Sequence, residues 1–336
     1  MGSRAVIGPA TVRRIAAETG FREEAVEKVL YLSAILERFG SHPDLKNGWV
    51  LKGGTAINLF YLEVPRLSGD IDINYIGSRE LEAMRAARPA FERAIIACCE
   101  REGCQVRRVP SEHAGGKYRL RYTGGVGGSG ALELDVNFVQ RVPLFGIDHR
   151  VPRFPPRDAP GRVPVLAVEE LAAGKFTALL TRSAPRDAFD AWQLLESVPD
   201  LLRRPRLRMA FVVQAAAVRQ DLRTKDSRTV GVAAKAVRDE LLPLLRVEAL
   251  PFGGDPVEMS DHLNVVCKNL AERLLKWRRK ERMFLDRILE AGEIVPTLLT
   301  DDPDLQDRIA GQPMLRWKAM HVRQYRRLPA REPQEI

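Results

Sequence analysis

The sequence predicts an α/β (α+β) protein, with a small mixed β-sheet in its first half and a mainly helical second half. Three observations lead there. Strand-type alternation is confined to the chain before residue 140, where it recurs between helical segments. Residues 141–165 then gather Pro143, Pro152, Pro155, Pro156, Pro160 and Pro164, a composition that excludes regular helix or a central strand and reads as a connection between lobes. From Val168 the pattern turns helical and rich in arginine. The expected organisation is a sheet-bearing domain with N-terminal helices over 1–160 and a helical, basic domain over 161–336.

The elements follow in order. Residues 9–20 form a short amphipathic helix ending at Gly20. Residues 22–39 form a longer one, with Ala25, Val29, Leu32, Leu36 and Phe39 near helical spacing and Gly40 as the stop. After a loop, Trp49-Val50-Leu51 leads into VLKGGTAINLFYLEVPRLSGDIDINYI, residues 50–76. Here Gly53-Gly54-Thr55 leaves the backbone bare, so its N–H groups can approach an anion at the start of a helix over 55–62. In Asp70-Ile71-Asp72-Ile73-Asn74, alternation places Asp70, Asp72 and Asn74 on one strand face. Two carboxylates about 7 Å apart along a strand can converge on one divalent cation or a close pair. Like charges on one face repel unless a cation neutralises them. A phosphate-holding turn followed by a metal-holding strand is what nucleotidyl transfer needs. Between them, Arg66 reads either as a structural ion pair or as a contact to a triphosphate or to the aspartates.

Residues 78–103 read as a helix, and strands follow at 104–109, 117–123 and 131–139. Lys117 to Tyr122 alternates basic with apolar residues, a half-buried strand with a cationic face. The glycine-rich residues 123–130 read as a mobile hairpin tip. They are not a phosphate loop, because a strand rather than a helix follows. On the next strand Glu133, Asp135 and Asn137 share a face. In the second half, a helix runs to about Arg182, and Ser183-Ala184-Pro185 restarts the next, with Ser183 as a candidate N-cap. Asp187 suits the dipole of that first turn; Asp190, one turn deeper, has no such reason to be there.

A net charge of +9 favours a polyanionic partner. Basic residues recur with aromatics in the last third: Arg203, Arg204, Arg206 and Arg208; Arg273 to Arg282 around Trp277, including Arg278, Arg279 and Lys280; then Arg316, Lys318, Arg323, Arg326 and Arg327 with Trp317 and Tyr325. Such stretches can hold a nucleic-acid backbone and stack on unpaired bases. Cys98, Cys99, Cys104 and Cys267 form neither a disulfide framework nor a zinc pattern. No stretch approaches the roughly 18–20 apolar residues of a membrane span, and no apolar signal core opens the chain. A cytoplasmic protein is expected.

The residues Lys52, Gly53, Gly54, Thr55, Arg66, Ser68, Asp70 and Asp72 stand where the AbiEii/AbiGii nucleotidyltransferase toxins carry a Lys-Gly-Gly-Thr turn followed by Arg-x-Ser-x-Asp-hydrophobic-Asp. Lys175, Arg182, Arg186, Asp187 and Asp190 resemble that family's second motif. The resemblance covers roughly residues 20–195. It implies a polymerase-β-like nucleotidyltransferase fold with the active-site cleft between the lobes, in a toxin of a toxin–antitoxin or abortive-infection system. It further implies Asp70 and Asp72 as ligands of Mg²⁺ or Mn²⁺. A third carboxylate would come from a neighbouring strand, Asp135 first and Glu133 second. Gly53, Gly54, Thr55, Arg66, Ser68 and Lys175 would bind the nucleoside triphosphate, and Asp190 would lie across the cleft to activate or position the attacking hydroxyl. The acceptor would be the 3′ end of tRNA, and the antitoxin a separate protein. Rival readings keep the same site but modify a protein or a small molecule, or bind nucleotide without catalysis.

Overall fold

The strand that carries the aspartates is central to the architecture. The computed structural model describes residues 7–109, 115–125, 128–156 and 161–326. Among these, β1 (Trp49–Lys52), β2 (Asp70–Tyr75), β3 (Gln105–Val109), β4 (Gly116–Thr123), β5 (Ser129–Asn137), β6 (Ile147–Arg150) and β7 (Val163–Leu166) form one mixed sheet in the order β3-β4-β5-β2-β1-β7-β6. Antiparallel β1 sets Lys52 opposite Asp72. Parallel β5 sets Glu133 beside Asp70 and Asp135 beside Asp72. Alternation does the rest: Ile71 and Ile73 are fully buried, and Asp70 and Asp72 point to the other face.

The N-terminal helices α1 (Pro9–Thr19) and α2 (Glu23–Ser41) cover the sheet, and α2 buries Val26, Val29, Leu32, Ile35, Leu36 and Phe39. Tyr31 of α2 stacks on Tyr122 of β4 with ring centroids 3.9 Å apart. Helix α3 starts at Gly53–Ala56 and continues as π-helix over Ile57–Tyr61. Helix α4 (Leu81–Arg101) packs Phe91 on Tyr75 and Phe138. The glycine-rich stretch is a hairpin connection between β4 and β5. Its Gly125 N–H donates to buried Glu27 of α2 at 2.7 Å, so the described part of the tip is fastened to the core; Val126 and Gly127 lie outside the described residues.

One expectation fails in the proline cluster. Residues 141–165 contain β6 and β7, and β7 lies inside the sheet between β1 and β6 although it carries Pro164. Proline is tolerated because the pairing to β1 is a single residue pair, Leu51 with Val165, that does not involve Pro164. The sheet therefore extends past residue 160, and the chain leaves it after Leu166. Pro160 lies outside the described residues.

The rest is helical. Helices α5 (Val168–Arg182), α6 (Pro185–Ser197), α7 (Pro205–Ala217), α8 (Ala234–Ala236, continued as π-helix to Leu241), α9 (Pro256–Leu274), α10 (Arg279–Asp286, continued to Ala291), α11 (Pro303–Ala310) and α12 (Pro313–Arg326) follow in order. Ser183 does not cap α6: it ends α5 in the left-handed conformation (φ 51°), and Ala184 is the N-cap, with Pro185 at the first helical position. The arginines at 203–208 serve the fold more than the surface. Arg208 donates to Glu281 (2.8 and 2.6 Å) and to the carbonyls of Leu274 and Lys276, clamping α7 to the end of α9 and to α10. Trp277 stacks on Phe211 at a 9° interplanar angle with Arg208 beside both rings, so one of its faces packs within the fold. Among the described residues, no helix is long and apolar enough to cross a membrane.

Arg208→Met removes one partner of a mostly buried pair, leaving Glu281 with only the Arg278 N–H and side chain and the Leu274 and Lys276 carbonyls without the Arg208 donor. The expected loss is about 3–5 kcal/mol, read as a lower denaturant midpoint with an unchanged slope. An unchanged midpoint would contradict the clamp.

Candidate active site

The turn before α3 is built around two glycines, for steric reasons that the sequence alone hides. Gly53 has φ +74°, and a Cβ there would sit 2.3 Å from Asp72 Oδ2. A Cβ on Gly54 would sit 2.8 Å from Arg66 Nη2 and 3.3 Å from Ser68 Oγ. The turn thus lies directly against both the carboxylate strand and the cation behind it. Thr55 is fully buried, and its Oγ1 donates to the Asp70 carbonyl at 2.5 Å. Its side chain ties α3 to β2; only its backbone is left for a phosphate.

Arg66 resolves to a structural pair, though with a distant partner. It is buried, and its Nε and Nη2 donate to Asp190 Oδ1 and Oδ2, each at 2.7 Å, across 124 residues of sequence. Lys175 Nζ lies 2.8 Å from both Asp190 Oδ2 and Asp187 Oδ1. Asn58 Nδ2 donates to Asp190 Oδ1 and to the Gly54 carbonyl, both at 2.9 Å. Arg182 grips Asp187 with Nε at 2.6 Å. Burial alone would raise the carboxyl pKa of Asp190, but Arg66 and Lys175 hold it far below the usual range. The same contest, won by Lys175 and Arg182, lowers Asp187.

Asp190 is 0% exposed and its two oxygens are taken by Arg66, Lys175 and Asn58, so its carboxylate lies beneath the cleft. Asp187, which suits the helix dipole and belongs to the second motif, lines the cleft and holds Lys175 and Arg182.

Above this network opens a cleft of about 430 Å³, lined by Gly54, Ser68, Asp70, Asp72, Asp135 and Lys175 among others. Asp70 and Asp135 both titrate above the ordinary aspartate range, in each case first through burial. Repulsion from Asp72 adds to this, while Arg186 opposes it at Asp70 and Lys52 at Asp135. Glu133 is occupied: Lys117 lies 2.8 Å and Arg119 3.7 Å from its carboxylate, and Lys117 holds its pKa down. Among the described residues, no group of three or more His, Cys, Asp or Glu is arranged to enclose a metal ion. Hard oxygens on adjacent strands still fit Mg²⁺, which is usually held by one or two carboxylates with substrate phosphates and water completing the shell.

Cations rim the cleft: Arg182, Arg186 and Lys117 are partly exposed there, and Lys52, opposite Asp72 in the sheet, lines the adjoining cavity. The sequence reading counts Lys52 and Arg186 in the two motifs without a role of their own, reads Lys117 only as part of a cationic strand face, and does not single out Asn58. The alternating basic face at 117–122 and the spacing of Asn58 from Gly54, one helical turn, were the signals available. Arg278, Arg279 and Lys280 are exposed at the start of α10, and Arg323 is half-buried on α12 beside Gly292; none of the four lines the cleft. Arg327 lies outside the described residues.

A second cavity adjoins the cleft and contains Glu170, whose carboxylate accepts the Phe145 N–H at 3.0 Å. Burial pushes its pKa from 4.5 up to about 7. Because the folded value is raised, the protonated form is favoured in the native state. The charge costs nothing below pH 4.5, and the penalty grows to about 3 kcal/mol by pH 7. Glu170→Gln should therefore melt close to the wild type at pH 5 and clearly above it at pH 8. Equal offsets at both pH values would contradict this.

A family model described as nucleotidyl transferase AbiEii toxin, type IV toxin–antitoxin system, matches residues 34–311. The structure is similar to that of MenT4, a nucleotidyltransferase toxin from Mycobacterium tuberculosis H37Rv, with a TM-score of 0.53 and 17% sequence identity over 90% of this chain and 98% of that one. No curated protein sequence matches the chain.

Proposed function

The chain belongs to the AbiEii nucleotidyltransferase toxins of type IV toxin–antitoxin systems, and on that premise we propose that it transfers a nucleoside monophosphate from a triphosphate to the 3′ end of tRNA, with a divalent metal held by Asp70 and Asp72. Nucleotidyl transfer as such, a nucleoside triphosphate substrate and a cognate antitoxin follow from the family. The metal, the acceptor and the residue roles are this reading's own. The observation that carries it is the register of β2 and β5, which sets Asp70, Asp72 and Asp135 on one cleft wall opposite a cationic rim.

In the reaction, the acceptor hydroxyl oxygen forms a bond to the α-phosphorus, the bond from that phosphorus to the bridging oxygen breaks, and pyrophosphate leaves. The hydroxyl proton passes to solvent. Mg²⁺ or Mn²⁺, held by Asp70 and Asp72 with Asp135 in reach, would neutralise triphosphate charge and lower the pKa of the acceptor hydroxyl. The chain's own groups supply position and charge. Backbone N–H groups of Gly53 and Gly54 and the cations Arg182, Arg186 and Lys52 surround the phosphates. Lys175 faces the same space but is partly neutralised by Asp187 and Asp190, so it acts as a fixed dipole partner more than as a free charge. Ser68, buried at the cleft wall, offers a hydroxyl to the phosphates. Asp190 acts through Arg66 and Lys175. Residues 1–160, extended by β7, form the catalytic lobe, and the remaining helices complete the site and present the acceptor.

Two features favour RNA as acceptor. Arg278, Arg279 and Lys280 form an exposed cationic cluster at the start of α10, Arg323 of α12 lies at the other end of that helix beside Gly292, and Trp317 and Tyr325 are exposed at 57% and 91%. Blocking tRNA 3′ ends in the cytoplasm would stop aminoacylation and account for toxicity.

The test is incubation with each of four α-³²P nucleoside triphosphates, total tRNA and Mg²⁺. Label should enter tRNA with the wild type and fall at least 100-fold in Asp70→Ala and Asp72→Ala, with chelator abolishing it. Label appearing in protein or a small molecule instead would overturn the tRNA assignment. Charge reversal at Arg278 and Arg279 should weaken tRNA binding and flatten its dependence on salt; an unchanged slope in a filter-binding titration would place the RNA elsewhere.

A further inference from the structure

The second cavity, about 400 Å³, falls in the range of small-molecule pockets, roughly 300–1,000 Å³. It shares Gly54, Asp72, Lys175 and Arg182 with the catalytic cleft, so the two are continuous around the glycine turn. Its walls come from α5, α7 and α12, with apolar surface from Leu171, Val218 and Met314. A small polar recess leads on from it and shares Gln140, Glu170 and Gln214.

Two buried polar atoms in this space have no partner. Thr177 is 3% exposed, lines the cavity and has no hydrogen bond to its Oγ1; a helical threonine can bond a carbonyl one turn back, as Thr181 does at 2.9 Å. Asn74 is 3% exposed, lines the recess and has an unpartnered Oδ1. Asn74 lies on β2 two residues beyond Asp72 and on the same face, so one strand face runs from the carboxylates to a waiting amide. Buried polar groups are seldom left unsatisfied without a ligand or water to meet them.

We propose that this cavity takes the sugar and base of the nucleoside triphosphate, with the Thr177 hydroxyl bonding the nucleoside and the side chains of Gln140 and Gln214 reading the base edge, while the recess of about 30 Å³ at Asn74 has room for one water. The assignment rests on the nucleotidyl-transfer reading above and adds the part of the substrate that decides which nucleotide is used. Amide side chains present donor and acceptor together, which suits the paired donors and acceptors of a base edge. Apolar residues on α7 and α12 pack on its faces. The triphosphate then extends past Gly53 and Gly54 toward Asp70 and Asp72, and the solvent-facing cleft is left for the acceptor. The last third of the chain thereby takes part in nucleotide choice.

The test separates nucleotide binding from transfer. Affinity for each of the four nucleoside triphosphates is measured by equilibrium dialysis without RNA, alongside KM for nucleotide and for tRNA, in the wild type, Thr177→Val, Thr177→Ser and Gln214→Leu, with melting curves to confirm folding. Thr177→Val should weaken binding of the preferred nucleotide about tenfold, as expected for one lost hydrogen bond worth about 1.4 kcal/mol, and Thr177→Ser should retain most of it. Gln214→Leu should narrow the gap between the preferred nucleotide and the other three. KM for tRNA should stay unchanged in all three. Intact transfer with unaltered nucleotide affinity, or a rise in KM for tRNA alone, would overturn the pocket and keep the catalytic reading. Weakened nucleotide binding in the variants with no transfer by the wild type would support the pocket and overturn the catalytic reading.

Discussion

One buried carboxylate holds the two halves of the site in register. Asp190 on α6 takes both arms of the Arg66 guanidinium, the Lys175 ammonium and the Asn58 amide. These partners come from the link before β2, from α5 and from α3. Removing charges from water is expensive, and such a pair persists only where geometry is close to ideal and remaining lone pairs are satisfied. The bidentate contact at 2.7 Å meets that condition. Much else follows from it. Gly54 has no room for a Cβ because Arg66 lies against it, Lys175 is aimed at the cleft floor, and the link at 62–69 brings β2 in with Asp70 and Asp72 facing the opening.

The carboxylates of the site divide into two groups by environment. Asp190 beneath the cleft and Asp187 at its edge are compensated by cations and stay ionised. Asp70 and Asp135 lie in its wall, are raised by burial and by their neighbour Asp72, and are poorly compensated. The first group resembles a foundation and the second a charge imbalance that a bound cation would relieve.

Most of the fold was legible in the sequence because it rests on local signals. The alternation at 70–74, the glycine turn and the helical spacing of 22–39 each specify their element without long-range help. Strand periodicity likewise puts Asp70 with Asp72, and Glu133 with Asp135, on one face of each strand. What was hidden depends on contacts between distant segments. The partner of Arg66 lies 124 residues away, so no window of sequence discloses that Asp190 is consumed by it. Pro164 enters an interior strand because its neighbour needs only one residue pair there. Trp277 sits among basic residues in the sequence, but Phe211, distant in sequence, stacks on one of its faces with Arg208 beside both rings. Thr177 drew no notice at all, because an unpartnered hydroxyl is a property of packing.

The division of labour between Asp72 and Asp190 is the central claim, and comparative unfolding of Asp72→Asn and Asp190→Asn tests it most directly. Denaturant midpoints of both are read beside their transfer activity. The account predicts that Asp72→Asn loses transfer while its stability equals or exceeds the wild type, since a like-charge repulsion is relieved. It predicts that Asp190→Asn loses about 3–5 kcal/mol of stability, because Arg66 and Lys175 are left without their buried counter-charge. An Asp190→Asn protein with wild-type stability and no transfer would contradict the account and return Asp190 to the reacting hydroxyl.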